Sequence, residues 1–130
     1  MADDGEKQRL IEELRFDALQ QSLRAFARER DWEQFHSAKN LAAALAVEAA
    51  ELLEIFQWRS EAASGSLPAD ELQHAAEEIA DVQIYLARIA DVLGIDIAAA
   101  VADKLEANRL KYPAAQVRGS AGKYRPGEGG

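Results

Sequence analysis

From Pro68 to Leu93 the chain has no internal glycine or proline, and its apolar residues recur at helical spacing. Leu72, Ile79, Val82, Leu86, Ile89 and Leu93 share one side of that helix, while Ile84 lies on another. A helix that is apolar on more than one face must be covered on more than one face. A chain of 130 residues makes one domain with a real core and no more. The cover must therefore come from a few helices of the same chain, supplemented by a second subunit.

The remaining sequence supplies such helices. A helical pattern from about Leu10 to Glu29 carries Phe16, Leu19, Leu23 and Phe26 on one face. A short aromatic linker, Arg30 to His36, leads to Ser37, which reads as the N-cap of a helix running to about Trp58 or Arg59. Ser60 to Leu67 reads as a loop. Pro68, Asp70 and Glu71 suit the first turn of the long helix, and Gly94 suits the position just after it. Asp96 then caps a last helix that Pro113 stops after Tyr112. Residues 1–7 are polar and expected to be loose. The tail from Ala114 to Gly130 holds Gly119, Gly122, Gly127, Gly129 and Gly130 and is expected to be mobile. The expected fold is all-α, an antiparallel four-helix bundle over residues 1–113 followed by the tail.

Composition narrows the chemistry. With no cysteine, disulfide scaffolds and thiolate zinc sites are excluded. A net charge of -8 argues against nucleic acid or an anionic membrane as partner. With no long apolar run and no basic leader, a cytoplasmic protein is expected.

Two acidic motifs stand out: Glu48-x-x-Glu51 on the second of the four helices and Glu78-x-x-Asp81 on the third. Residues three apart on a helix are neighbours, so each motif presents two carboxylates to one spot. Glu48 falls within the apolar stripe defined by Leu41, Leu45, Leu52 and Ile55, with Glu51 at its edge. A lone carboxylate there would be costly, whereas Mg²⁺ prefers a few carboxylate oxygens and keeps some waters. Solvated helix surface is the simpler account of any one acidic pair. Two pairs on consecutive helices, one intruding on an apolar stripe, favour a metal site. Glu54 points further from the core and suits a supporting role. Glu71-x-x-His74 has the spacing of a di-iron bundle motif, but such a site needs it twice, and no Glu lies three residues before His36.

Trp32, Phe35, Trp58 and Tyr85 are either core aromatics or a stacking surface for a nucleobase. Tyr85 follows Asp81 by four residues, on nearly the same line of the helix. Lys104, Asn108, Arg109, Lys111 and Tyr112 end the last helix, where cations are favoured in any case and where phosphates could also be met.

Taken together these stretches resemble the MazG-like nucleotide pyrophosphohydrolases. Glu48-x-x-Glu51 and Glu78-x-x-Asp81 match that family's EXXE…EXXD motif. Arg30 to His36 with Lys39-Asn40-Leu41, Phe56-Gln57-Trp58, Asp81 to Leu86, and Lys104 through Tyr112-Pro113 are similar to its dCTP pyrophosphatase branch, with a weaker echo at Lys123-Tyr124. The resemblance covers about Leu14 to Pro113. It implies hydrolysis of a nucleoside triphosphate, dCTP or a modified dCTP first among them, to a monophosphate and pyrophosphate. It implies that Glu48, Glu51, Glu78 and Asp81 hold Mg²⁺ or Mn²⁺, with more than one ion per site. Trp32, His36, Trp58, Tyr85 and Asn108 would surround base and sugar, and Lys104, Lys111 and Tyr112 would meet phosphates. It further implies a homodimer or homotetramer. Independently of the resemblance, a carboxylate not fully used as a ligand, Glu51 or Glu54, is expected to serve as general base. Two rival readings are the same chemistry on other nucleotides and a non-catalytic helical dimerisation or regulatory module.

Overall fold

The computed structural model describes residues 4–120, and every regular element among them is helical. In chain order these are α1 (Asp4–Glu13), α2 (Asp17–Glu29), a 3₁₀ turn (Glu33–Phe35), α3 (Ala38–Phe56), α4 (Glu61–Ser64), α5 (Ala69–Leu93), α6 (Ile97–Lys111) and α7 (Ala114–Val117). They fall into two compact units, Phe16–Ile95 and the two chain ends taken together. No described helix is long and apolar enough to cross a membrane.

The unit Phe16–Ile95 is organised on α5. Both α3 and α2 pack against it. Local signals set its helix ends. The hydroxyl of Ser37 accepts from the Asn40 amide at 3.1 Å and so caps α3. Gly94 adopts a left-handed conformation, φ +68°, that ends α5. The α2–α3 connection depends on Asp31, which also takes a positive φ of 53°. An aspartate tolerates that conformation better than most residues. The turn is closed by the Trp32 amide donating to the Ala27 carbonyl at 2.8 Å, and the Asn40 side chain ties the 3₁₀ turn to α3 through the Phe35 carbonyl at 3.0 Å.

The interior of this unit is made of small side chains. Ala27, Ala75, Ala87 and Ala90 are buried, and Leu41 is the one large side chain that is fully buried. The expected stripe on α5 is a different matter. Leu72, Ile79, Leu86 and Leu93 are exposed, as is Ile84, while Val82 and Ile89 are only half-buried. The face of α5 turned inward carries alanines together with Glu78 and Arg88. Helices approach closely where side chains are small, so the bulky residues are left outside.

In the second unit α1 packs against α6. Lys7 pairs with Asp103 at 2.6 Å, and Arg109 bridges Glu6 and Glu106 at 3.5 and 3.6 Å. The Asp96 carboxylate caps α6, accepting from the Ala99 amide at 3.0 Å.

Five boundaries differ from the sequence-based expectation. Residues 4–7 are helical, since they open α1 with Asp4 and Glu6 favouring its N-terminal end. The helix expected from Leu10 to Glu29 is interrupted between Glu13 and Asp17, where a second start is favoured by Asp17 in the first turn of α2. The Ser60–Leu67 loop contains one helical turn, α4, which Ser60 caps by accepting from the Ala63 amide at 3.2 Å. α3 stops at Phe56, so Gln57 and Trp58 lie beyond it. Of the expected mobile tail, Ala114–Val117 form the short helix α7. Residues 121–130, with Gly122, Lys123, Tyr124 and the last glycines, lie outside the described residues, as do residues 1–3.

Candidate metal centre and aromatic cleft

α3 and α5 bring Glu48, Glu78 and Asp81 together, with one carboxylate oxygen from each within 4.8 Å of the other two. The spacing explains the convergence: Glu78 and Asp81 are neighbours on one face of α5, and that face meets α3 at Glu48. Glu78 is only 7% exposed. Its Oε1 lies 3.2 Å from Nε2 of His74, one turn earlier on α5. Its Oε2, like Oε2 of Glu48, is buried with no hydrogen-bond partner.

The electrostatics of the group follow from this crowding. The Glu48 carboxyl is pushed up to about 7, first by a hydrogen bond to Glu78 that only its protonated form can donate. Burial, a second hydrogen bond to Glu51 and the negative charges of Glu51 and Asp81 push in the same direction. Glu51 therefore stands beside Glu48 although it contributes no atom to the convergent trio.

Two orphaned, buried carboxylate oxygens beside a third acidic group fit a hard divalent cation. Such an ion takes oxygen ligands, cancels their mutual repulsion and satisfies the lone pairs the protein leaves unpaired. Nothing in this donor set suits a soft metal.

Next to the acidic trio lies a cleft of about 400 Å³, lined by Leu23, Phe26, Trp32, His36, Asp81, Ile84, Tyr85 and Arg88. Asp81 belongs to both. The cleft's aromatic wall is stacked in sequence: the Trp32 ring meets Phe26 edge-on at 5.7 Å and His36 edge-on at 6.5 Å. The Arg30 guanidinium lies over the Phe26 ring, 3.6 Å from its centre. Arg88 is buried and donates from Nε to Nδ1 of His36 at 3.1 Å. Burial and the Arg88 cation both hold the His36 pKa below the usual histidine value, with Glu33 opposing them weakly.

The residues singled out in the sequence are distributed as follows. Trp32, His36 and Tyr85 line the cleft with Asp81. Trp58 does not line it and is 89% exposed; Phe35 is exposed as well. Glu54 is exposed on α3. Glu71 pairs with Arg59 rather than with His74, so the Glu71-x-x-His74 spacing corresponds to two separate contacts. Lys104, Asn108 and Lys111 lie on α6 and Tyr112 just after it, in the second unit, where the Lys111 ammonium sits 5.3 Å from the Tyr112 ring centre. The cleft also contains Leu23, Phe26, Ile84 and Arg88, which the reading of the sequence had not assigned to a site. For Arg88 a signal existed: Glu78, Asp81, Tyr85 and Arg88 follow at spacings of three, four and three along one line of α5.

Comparison with known proteins agrees with these features. Residues 43–125 match the profile of the MazG-like family. The dCTP pyrophosphatase 1 of Rattus norvegicus is 48% identical over 101 residues, which is 76% of this chain and 59% of the rat protein. The Homo sapiens protein of the same name is 45% identical over the same shares. The chain thus spans 59% of the length of these curated relatives. A crystal structure of a pyrophosphatase from Archaeoglobus fulgidus superimposes with a TM-score of 0.71 at 44% identity, covering 75% of this chain and 91% of that one.

Proposed function

The chain belongs to the MazG-like family, and on that premise we propose that it is a Mg²⁺-dependent nucleoside triphosphate pyrophosphohydrolase acting on dCTP or a modified dCTP. The products would be the nucleoside monophosphate and pyrophosphate. One observation carries the reading: Asp81 is shared by the acidic trio and the aromatic cleft. A ligand with its flat base in the cleft would have its charged end at the carboxylates. The named relatives, dCTP pyrophosphatases and a pyrophosphatase, support the same chemistry.

Glu48, Glu78 and Asp81 would hold Mg²⁺, with Glu51 completing the group. When bound, the ion supplies Lewis-acid polarisation of the phosphate and lowers the pKa of water. The protein's own part is division of labour among carboxylates. A carboxylate not fully used as a ligand, Glu51 beside the trio or Glu54 one turn further along α3, would take the proton of an attacking water. Trp32 and Tyr85 would sandwich or flank the base, and His36 would hydrogen-bond it. Lys104, Asn108, Lys111, Tyr112 and the exposed Trp58 enter the proposal through the family resemblance.

Self-association belongs to the same proposal. Leu53, Leu72, Ile79 and Leu93 are each more than half exposed, a set too apolar to be left to water without consequence. A homodimer or homotetramer would cover them.

The test is pyrophosphate release from a panel of dNTPs with Mg²⁺ and then with excess EDTA. Release that is fastest with dCTP and stops with EDTA is expected. No release from any nucleotide would overturn the reading.

A further inference from the structure

Arg88 is a buried cation with its partners on both sides. It is 8% exposed, its Nε donates to Nδ1 of His36 at 3.1 Å, and its Nη1 donates to Oδ2 of Asp91 at 3.2 Å. Asp91 is itself held by Arg24, whose Nε donates to the same carboxylate at 2.7 Å. The guanidinium is therefore anchored at the end away from His36. A neutral imidazole has one donor nitrogen and one acceptor nitrogen, and the partner of one decides the state of the other. An arginine only donates. Nδ1 of His36 must then carry the lone pair, and Nε2 the hydrogen. Both residues line the cleft, and Nη2 of Arg88 makes no hydrogen bond to the described residues.

We infer that Arg88 is a positioning residue that locks His36 in its Nε2–H form, so that His36 and Arg88 together offer donors to the cleft. The inference rests on the nucleotide reading given above for what enters the cleft, but the lock itself is a property of the protein alone. Two neighbouring donors suit a base edge with adjacent acceptors. Cytosine offers N3 and O2 as such a pair. Uracil and thymine place an N3–H between their two carbonyl oxygens, so a donor would face a donor. A site built to hydrogen-bond rejects the analogue that leaves its groups unpaired far better than an apolar pocket rejects a change of shape.

The lock can be read directly by ¹⁵N NMR of the histidine rings in the full chain without nucleotide. The protein has 2 histidines, and His74→Gln identifies which ring signals belong to His36. In the wild type, His36 is expected to show a bare Nδ1 and a protonated Nε2. Arg88→Met keeps an unbranched side chain out to the position of Nε and removes the donors, and His36 should then become a mixture of the two forms. Arg88→Lys retains a donor and should restore the wild-type pattern. In parallel, the preference for dCTP over dUTP in kcat/KM should fall about tenfold in Arg88→Met through KM, the size of one lost hydrogen bond, and recover in Arg88→Lys. A wild-type His36 protonated on Nδ1, or one whose form does not change in Arg88→Met, overturns the lock. A changed form with an unchanged base preference overturns its role in selection. If the wild type hydrolyses no nucleotide, the functional reading falls, and the ring signals still decide the lock.

Discussion

His74 touches Glu78 through Nε2, 3.2 Å from Oε1, while the other oxygen of the same carboxylate is buried and unpaired in the acidic trio. One group thus faces two ways, steadied on one side so that it can bind on the other. Partners of this kind typically change metal affinity by ~10–100-fold when removed. His74 is half exposed, so the low end applies. His74→Ala should weaken Mg²⁺ binding about tenfold and leave hydrolysis near normal at saturating Mg²⁺. A Mg²⁺ titration of pyrophosphate release checks both halves.

The raised pKa of Glu48 gives the metal-free protein a particular dependence on pH. Its folded value, about 7, exceeds the ordinary 4.5, so the folded state binds a proton that the unfolded state has already lost. Between those two values the group's contribution to stability falls as pH rises, and it is fully lost above about 7. His36 acts oppositely below its ordinary 6.5, because its folded value is lowered. Glu48→Gln separates the two. The wild type minus Glu48→Gln difference in melting temperature in EDTA should decline from pH 5 to pH 8. A flat difference would remove Glu48 from the acidic centre.

Metal should reverse that penalty. An ion that binds the folded cluster and not the unfolded chain stabilises by about 2.7 kcal/mol at a hundred times its Kd. Melting of the wild type should rise with Mg²⁺, whereas Glu48→Gln and Asp81→Asn should respond little and should release no pyrophosphate. Binding should also weaken below pH 7, where the proton on Glu48 competes.

Stacking predicts its own magnitude. Tyr85→Ala or Trp32→Ala should cost ~1–3 kcal/mol of nucleotide binding. Calorimetry with a non-hydrolysable analogue checks it. A loss confined to kcat would instead place these rings in the catalytic step.

At Gly94 the cost should be purely conformational. Its φ is +68°, and a Cβ added there would meet nothing within 4 Å. Gly94→Ala should destabilise by about 1 kcal/mol, the cost of the left-handed region for an L side chain. Chemical denaturation measures it.

What was legible in the sequence was mostly local. Ser37 and Asp96 announce caps within three residues of themselves, and Gly94 needs only its own lack of a side chain. Glu48, Glu78 and Asp81 were legible because spacing along two helices is enough to make their carboxylates converge. The break before Asp17 carries no glycine or proline to mark it. Which apolar residues would be buried was misread for a different reason. Periodicity tells that a face is apolar but not whether a neighbour comes close enough to cover it, and α3 and α2 reach α5 along its alanines. Arg88 was missed because its partners, His36 and Asp91, come from different stretches, and charge in a sequence reads as surface until the fold closes over it.

The alanine interior has a consequence for how such a protein can change. A core of leucines and isoleucines can trade a methyl group here for one there and repack. Ala27 and Ala87, with no exposed surface at all, have nothing to trade, and even a serine or valine would wedge α2 or α5 away from its neighbour. Wedging α5 would spread Glu78 and Asp81 from Glu48, so a steric change at a residue with no chemistry would be felt first as lost metal affinity. Variation is thereby driven outward, to the bulky residues on the uncovered faces, and the inner faces of these helices behave as a fixed gauge for the distance between carboxylates.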